Sequence, residues 1–213
     1  MNERWIEIRK GADFAKIGET FSIDPVIARL IRNRDVTEMD EIRSYLYGGT
    51  EGLHDARTMR DMEKAVSIIT DKIKQGKQIR IIGDYDIDGV SATYILLKGL
   101  RRVGACASVK IPDRMKDGYG INEHLILRAK EDGVDTILTC DNGIAALDAI
   151  AYAKKEGMTV VVTDHHDIPF EETDGERHYL KSEADAIVNP HQPDCAYPYK
   201  MLCGAAIAWK FIQ

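Results

Sequence analysis

The sequence predicts an α/β fold: a mostly parallel sheet with helices on both faces, preceded by a small helical region. From Gln78 onward, short apolar runs alternate with amphipathic stretches of helical period, which is typical of βαβ units. The residues before this point show only the helical period. With 213 residues, 44% of them hydrophobic, the chain can bury the core of such a domain. We therefore expect a helical lead-in over residues 1–75 and an α/β domain over residues 76–213.

The lead-in contains three helical patterns. Their apolar residues at helical spacing are Val26, Ile27, Leu30 and Ile31, then Ile42, Tyr45 and Leu46, then Met62, Ala65, Val66, Ile69 and Ile73. The pair Gly48-Gly49 should end the second helix, because glycine is common just past a helix end. Gly76 should end the third, which is predicted over Met59 to Lys74.

The α/β region is predicted to contain five strands and three helices between them. The strands are Ile79 to Ile82, Ala107 to Ile111, Thr136 to Cys140, Thr159 to Thr163 and Ala186 to Val188. The helices are Val90 to Arg102, Glu123 to Glu131 and Ala145 to Lys155. Ligands of such sheets bind outside the carboxyl ends of the strands, which is therefore where functional residues are expected.

Charge and composition argue against several classes of protein. The net charge of −6 disfavours a basic nucleic-acid-binding surface, although carboxylates that hold divalent cations also lower the formal charge. No apolar run of about 18 residues occurs, and Met1 to Lys10 is too polar for a signal peptide. We expect a cytoplasmic protein that has no membrane partner. Four cysteines without CxxC spacing are expected to be reduced thiols: Cys106, Cys140, Cys195 and Cys203.

Polar residues follow three of the predicted strands. The first strand runs into Asp84, Asp86 and Asp88, the third into Asp141-Asn142-Gly143, and the fourth into Asp164-His165-His166-Asp167. Carboxylates brought close together repel and raise each other's pKa, so a cation is expected among them. Carboxylate oxygen mixed with imidazole nitrogen suits Mn²⁺ and, less specifically, Mg²⁺, Fe²⁺ or Zn²⁺. Two such ions support phosphodiester hydrolysis.

Three other interpretations of these acids fit less well. Asp84 to Gly89 matches the first half of an EF-hand loop, but Ile95 occupies the position of the bidentate glutamate. A phosphate-binding loop of the GxxxxGK[ST] type is absent from the sequence. The third interpretation is that each aspartate serves only as a helix N-cap. Caps alone do not explain the same pattern at three strand ends.

The motifs GDYDIDG, TCDNGI and VTDHHDIP resemble the first three motifs of the DHH phosphoesterase family, named after the triplet Asp164-His165-His166. Segments outside the strand ends resemble the branch of that family specific for single-stranded DNA: LHDARTMRDMEKAV, IPDRMKDGYGIN, NPHQ and CGAAIAWK. The resemblance implies a cytoplasmic repair and recombination nuclease that degrades single-stranded DNA from its 5′ end, with two Mn²⁺ or Mg²⁺ ions. It also implies partnership with a single-strand-binding protein and a helicase.

The resemblance also implies roles for individual residues. Asp86, Asp88 and His165 would be metal ligands, Asp84 a ligand or a close supporting acid, and Asp141 the carboxylate that bridges both ions. His166 would contact the scissile phosphate or donate a proton, with Asp164 orienting an imidazole. The expected catalytic set is thus His166, Asp164 and Asp141.

Substrate contacts are expected on the loops around this site. The candidates are Arg114, Gly118, Tyr119, Gly120, Asn189 and His191. Arg114 is a candidate phosphate ligand, but an ordinary solvated arginine explains it equally well. Gly118 and Gly120 have no side chain, which would let the protein backbone approach the DNA strand closely.

Two departures from the family pattern bear on function. Ile82 stands four residues before Asp86, where many members carry a histidine, so one ligand of the general pattern is missing. The last residues, Phe211 to Gln213, lie in a helical pattern that shows no cap, before the family's next metal-binding aspartate. We therefore expect a fragment that binds at least one ion and hydrolyses DNA poorly or not at all.

Two other functions stay open from the sequence. One is a DHH phosphodiesterase for oligoribonucleotides or a cyclic dinucleotide, which would leave the lead-in unexplained. The other is a non-catalytic DHH-type scaffold that binds DNA. A scaffold would be expected to lose acids and histidines that this sequence retains.

Overall fold

The computed structural model of the protein describes residues 10–115, 117–118, 120–173 and 175–213. Two compact units divide between Leu53 and His54. Among the described residues, no helix has both the length and the apolar composition needed to cross a bilayer. All four cysteines are free thiols, and Cys140 and Cys195 are buried.

The first unit contains helices α1 (Phe14–Phe21), α2 (Pro25–Asn33) and α3 (Met39–Tyr47), followed by a 3₁₀ turn (Thr50–Gly52). Asp13 and Asp24 cap α1 and α2 by accepting hydrogen bonds from backbone N–H groups of the first turn. As predicted, α3 ends at a glycine, Gly48. A small core cluster joins the three helices: Ile17, Phe21, Ala28, Ile31 and Ile42.

The apolar face of α2 is only partly buried. Ile31 is buried together with Ala28, but Val26, Ile27 and Leu30 are 62%, 41% and 45% exposed. The stripe of apolar residues on this helix is wider than the contact that α1 offers, so only one side of it is covered. The same limit leaves Tyr45 of α3 half exposed.

The second unit alternates strands and helices. After a 3₁₀ turn (Ala56–Thr58), its elements are α4 (Met62–Lys74), β1 (Gln78–Ile82), α5 (Ile87–Arg102), β2 (Cys106–Lys110), α6 (Glu123–Glu131), β3 (Thr136–Cys140), α7 (Leu147–Lys155), β4 (Thr159–Thr163), β5 (Phe170–Thr173), β6 (Glu176–Tyr179), β7 (Ala186–Val188) and α8 (Gly204–Ile212). Five strands form one parallel sheet in the order β2-β1-β3-β4-β7. The predicted fold class is confirmed.

Helices cover both faces of this sheet because the strands alternate their side chains. Ile81 and Leu138 point into a cluster with residues of α4, α5 and α8. Ile82 and Ile137, one residue away along the same strands, point into a second cluster with residues of α6 and α7. A strand with both faces buried reads as a continuous apolar run, which is the pattern seen in the sequence.

Two features of this unit were not predicted. The antiparallel hairpin β5–β6 follows β4 and precedes β7 in the sequence, and it forms a separate sheet. Its strands are exposed along their length. In addition, α4 was assigned to the lead-in, yet Met62, Ala65 and Ile69 belong to the core of the second unit. The division into a lead-in and a catalytic domain stays a prediction.

Candidate metal centre at the carboxyl edge of the sheet

The chain reverses its direction across the sheet between β1 and β3. From β1 the next strand, β2, lies on one side, and β3 then lies on the other. Such a switch point leaves a crevice at the carboxyl ends of the two strands, where open parallel sheets bind their ligands. Asp84 and Asp86 follow β1, and Asp141 follows β3, so the topology brings these acids together.

The loop after β1 is tightly built around two glycines. A Cβ on Gly83 would lie 1.9 Å from Thr93 Oγ1, and one on Gly89 would lie 2.6 Å from the Asp84 Cβ. Asp84 packs against Gly89 and is only 3% exposed. Burial is the main cause that raises the pKa of its carboxyl group, and the nearby charge of Asp86 adds to it.

Asp86 is the N-cap of α5. Its Oδ1 accepts hydrogen bonds of 2.9 Å from Asp88 N and Gly89 N. The capping interpretation is thus correct for this residue, but it uses one oxygen only. The second oxygen remains available as a ligand.

Asp141 has a backbone conformation that is unusual for a residue with a side chain, with φ at +60°. The following turn requires Gly143, at φ +110°, where a Cβ would lie 2.6 Å from Thr139 Oγ1. Asp141 is 2% exposed, and its Oδ1 accepts no hydrogen bond. Burial, with the charges of Asp88 and Asp86, raises the pKa of Asp141 to about 7.

The three residues of the triplet Asp164-His165-His166, which follows β4, make different contacts. Asp164 Oδ1 accepts hydrogen bonds from His165 N and His166 N and lies 2.7 Å from His166 Nδ1, while Oδ2 accepts from Ile144 N. Asp164 therefore orients His166 and has no oxygen left over. The hydrogen bond with Asp164 is also the main cause that raises the pKa of His166 to about 8. His165 points to the acids, with Nε2 2.9 Å from Asp141 Oδ1 and 3.7 Å from Asp88 Oδ2.

These side chains form two groups whose ligand atoms lie within 4.8 Å of one another. One group is Asp84, Asp86 and Asp141, and the other is Asp141, His165 and His166. Asp84 Oδ1 is a buried acceptor without a hydrogen bond, and Asp141 Oδ1 has the His165 ring nitrogen at 2.9 Å but not in hydrogen-bond geometry. Such buried oxygens are costly unless a cation or donor satisfies them. Atoms about 2.1 Å from one ion and at right angles lie about 3 Å apart, close to the His165–Asp141 separation. The residues present fit divalent metal ions.

The structure gives Asp88 a second role that the sequence did not show. Its two oxygens accept hydrogen bonds of 2.6 and 2.7 Å from Gly204 N and Ala205 N, so it caps α8 from 116 residues away. A Cβ on Gly204 would lie 2.5 Å from Asp141 Oδ1. The start of α8 is therefore one wall of the site. The segment CGAAIAWK was singled out in the sequence for its resemblance to the family, but nothing in its composition indicated a contact with Asp88.

The expected substrate residues are placed less uniformly. The guanidinium group of Arg114 lies over the Tyr85 ring, with Cζ 5.3 Å from the ring centroid. Gly118 and Gly120 both have positive φ, and Tyr119 lies outside the described residues.

Asn189 and His191 belong to the turn after β7. Asn189 is fully buried, and its amide bonds only backbone groups, donating to His166 O and accepting from His191 N. It therefore supports the loop that carries His166. His191 is partly exposed, with Nδ1 3.7 Å from Asp167 Oδ1.

The fold and the cluster define an α/β protein with a candidate divalent-cation site at the carboxyl edge of a parallel sheet. The chain belongs to the DHH family: residues 78–213 match the family model described as DHH family, N-terminal domain. The resemblance drawn from the three motifs is confirmed.

Curated relatives extend this similarity over nearly the whole chain. The single-stranded-DNA-specific exonuclease RecJ of Bacillus subtilis (strain 168) is 38% identical over 208 residues, which are 97% of this chain and 25% of that protein. RecJ of Salmonella typhimurium is 32% identical over 189 residues, 88% of this chain and 30% of that protein. The chain thus spans less than a third of the length of these relatives.

Solved structures show the same fold. A crystal structure of exonuclease RecJ bound to manganese has a TM-score of 0.61 and 29% identity, covering 72% of this chain and 37% of the other. RecJ from Thermus thermophilus in complex with Mn²⁺ has a TM-score of 0.63 and 24% identity, covering 93% and 26%. The second comparison supports the fold alone.

Proposed function

We propose that this chain is the metal-binding part of a phosphodiesterase that removes nucleotides from the 5′ ends of single-stranded DNA in repair and recombination. The observation that carries the proposal is the convergence of Asp84, Asp86, Asp141 and His165 at the switch point, with buried oxygens lacking hydrogen bonds. Relatives named single-stranded-DNA-specific exonucleases support the substrate. Manganese in the RecJ structure supports Mn²⁺ or Mg²⁺ as the cofactor.

In this proposal, Asp86, Asp141 and His165 would hold two ions, and Asp88 would join them by giving up one of the two hydrogen bonds that its oxygens accept from the start of α8. Asp141 belongs to both groups of potential ligands and is therefore assigned as the bridge between them. Asp84 is a further ligand or a supporting acid. Bound divalent ions would lower the pKa of a bound water and offset the negative charge of the phosphate.

His166 is assigned to the reacting phosphate. Asp164 fixes one ring nitrogen, Nδ1, so Nε2 is the nitrogen that contacts the phosphate or donates a proton. Asn189 supports this arrangement through the backbone of His166. Arg114, on the loop that leads to Gly118 and Gly120, is assigned to a phosphate of the strand.

The ligand assignment is tested by metal binding to this chain. Titration calorimetry with Mn²⁺ should detect at least one site in the wild type, and Asp86→Asn should weaken it. Asp113→Asn, a change of the same kind on the loop after β2, serves as the control. Equal Mn²⁺ affinity in all three proteins would contradict the assignment.

The reaction is tested on the full-length gene product and on this chain. We expect Mn²⁺-dependent release of mononucleotides from 5′-phosphorylated single strands by the full-length protein, and little or none by residues 1–213 alone. A preference for dinucleotides over long strands would instead indicate a small-substrate phosphodiesterase. Binding of DNA without hydrolysis would indicate a scaffold.

Location and partners follow from the same proposal. An enzyme that consumes single-stranded ends needs duplex DNA to be opened, so a helicase and a single-strand-binding protein are the expected partners. We place this activity in the cytoplasm, with no membrane partner.

A further inference from the structure

A cavity adjoins the candidate metal centre on the side of His166, and the proposed hydrolysis does not use it. Its volume is about 340 Å³, and its rim includes Asp164 and His166. The rest of its wall comes from Gly120 and Ile121 and from the turn Asn142 to Ala146 that leads into α7. A group bound here would touch the imidazole assigned to the scissile phosphate.

The cavity offers little to a charged ligand. Asp164 and His166 are the only ionisable side chains among its described lining residues. Both oxygens of Asp164 are already engaged by backbone N–H groups and by the His166 ring. His166 is already assigned to the scissile phosphate, and the remaining wall is small, apolar or backbone apart from the Asn142 amide. Phosphate groups select arginine, lysine or several N–H donors, so this cavity suits an uncharged group instead.

One polar side-chain atom behind the wall has no hydrogen-bond partner. Asn142 is 1% exposed, and its Nδ2 donates to Ile82 O and Cys140 O at 3.1 and 2.9 Å. These two carbonyls fix the amide orientation, which leaves Oδ1 as a buried acceptor without a hydrogen bond. This oxygen adds polarity behind the wall but has no surface of its own that a bound group could touch.

We propose that this cavity binds the nucleobase of the nucleotide whose phosphate is cleaved beside His166. This inference rests on the proposed function and adds the part of the substrate that the metal centre leaves unbound. At about 340 Å³ the cavity is at the small end of ligand pockets, which fits one base with its sugar. All four bases present a flat apolar face, so binding should require a base without selecting among bases.

The test compares two phosphates that differ only in the base. Titration calorimetry on this chain in the presence of Mn²⁺ measures the Kd of thymidine 5′-monophosphate and of 2-deoxyribose 5-phosphate. We expect the nucleotide to bind about tenfold more tightly or better, as filling an apolar pocket does elsewhere. Adenosine and cytidine 2′-deoxynucleotides should bind with similar Kd.

Ala146→Leu fills the cavity from its wall, while Ala151→Leu makes the same change further along α7 and outside it. The first variant should bring the nucleotide down to the affinity of deoxyribose phosphate and leave Mn²⁺ binding unchanged. The second should bind like the wild type.

Each outcome separates this inference from the proposed function. If wild type binds the nucleotide and deoxyribose phosphate equally, the base pocket is wrong while the phosphodiesterase proposal stands. If neither phosphate binds in the presence of Mn²⁺, both are overturned. The wild-type comparison decides the question even if Ala146→Leu does not fold.

Discussion

At the amino-terminal edge of the sheet, the acids that precede strands pair with lysines. Asp135, just before β3, lies 2.5 Å from Lys72 Nζ, and Asp185, just before β7, lies 2.6 Å from Lys154 Nζ. At the carboxyl edge, Asp84 and Asp141 are more deeply buried but have no lysine or arginine within ion-pair distance among the described residues.

The pKa values follow this difference in pairing. Burial raises the pKa of Asp135, but hydrogen bonds from Lys72 and Thr136 and nearby lysine charge outweigh it, so the net shift is downward. At the other edge, burial and neighbouring acids raise the pKa of Asp141 to about 7. A carboxylate satisfied by a side-chain cation stabilises the fold, whereas one left without a cation indicates where an external ion binds.

The largest expected effect is on metal binding at Asp141. Asn adopts positive φ readily, so Asp141→Asn should keep the fold while removing a charged ligand. Mn²⁺ affinity should fall by more than about 100-fold. Asp135→Asn is the matched change at the opposite edge and should leave Mn²⁺ affinity unchanged. An equal loss of Mn²⁺ affinity in both variants would contradict the difference between the two edges of the sheet.

Metal should also stabilise the fold through the carboxyl edge only. At a free Mn²⁺ concentration about 100 times Kd, the free energy of unfolding should rise by about 2.7 kcal/mol. Asp135→Asn should retain this increment, and Asp141→Asn should lose it. Denaturant unfolding with and without Mn²⁺ measures the difference, and a stabilisation that persists in Asp141→Asn would place the ion elsewhere.

A smaller effect on Mn²⁺ affinity is expected from a substitution at the start of α8, which forms one wall of the site. Gly204→Ala introduces a Cβ 2.5 Å from Asp141 Oδ1, so the carboxylate must move. Mn²⁺ affinity should fall by about 10- to 100-fold, in the range seen when groups that orient ligands are changed.

Gly99→Ala is the control for Gly204→Ala. Its Cβ would meet Ile212 where α5 and α8 pack away from the site. It should lower stability without changing Kd for Mn²⁺. A loss of metal affinity in the control would mean that α8 acts through general stability.

At the amino-terminal edge, the expected effect is on stability alone. Lys72→Met removes the closest partner of Asp135, although Lys77 Nζ remains 3.7 Å away. Because both side chains of the pair are partly exposed, the loss in free energy of unfolding should be about 1 kcal/mol or less. Unchanged stability, together with unchanged Mn²⁺ affinity, would show that this edge contributes little to either property.

The same pair should make a small pH dependence visible. The pKa of Asp135 is lowered in the folded state, so its contribution is present above the unfolded pKa of about 3.9 and is lost as the pH falls through the folded value. The difference in stability between wild type and Lys72→Met should therefore shrink below about pH 4. A difference that grows on acidification would have the wrong sign.

Much of the fold was predictable because apolar periodicity reports burial directly. The bounds of β3, β4, β7 and α6 agree with the predicted ones. The hairpin β5–β6 was missed because its strands are exposed and rich in charge, which leaves no apolar alternation. Which side of α2 is buried could not be predicted, because the sequence shows which residues of a helix are apolar and not which of them a neighbour covers.

The candidate site was predictable in its members more than in their roles. Asp84, Asp86, Asp88, Asp141 and His165 were expected together. The structure groups all of them except Asp88, whose oxygens accept hydrogen bonds from the start of α8. Their assignment as ligands stays a prediction, to be decided by the metal titrations above. The contacts of Asp88 with the start of α8 join positions more than a hundred residues apart, which no local pattern could indicate.

The alternation of strands and helices, and the acids and histidines that follow the strands, could be predicted from the chain alone. Both are local properties, which depend on the spacing of apolar residues and on short motifs. The three-dimensional packing was needed to show which acids pair with lysines, which face each other without a cation, and where a cavity opens beside His166. Those features depend on strand order and helix packing, because the distances and burial that shift a pKa or shape a cavity arise between segments remote in the chain.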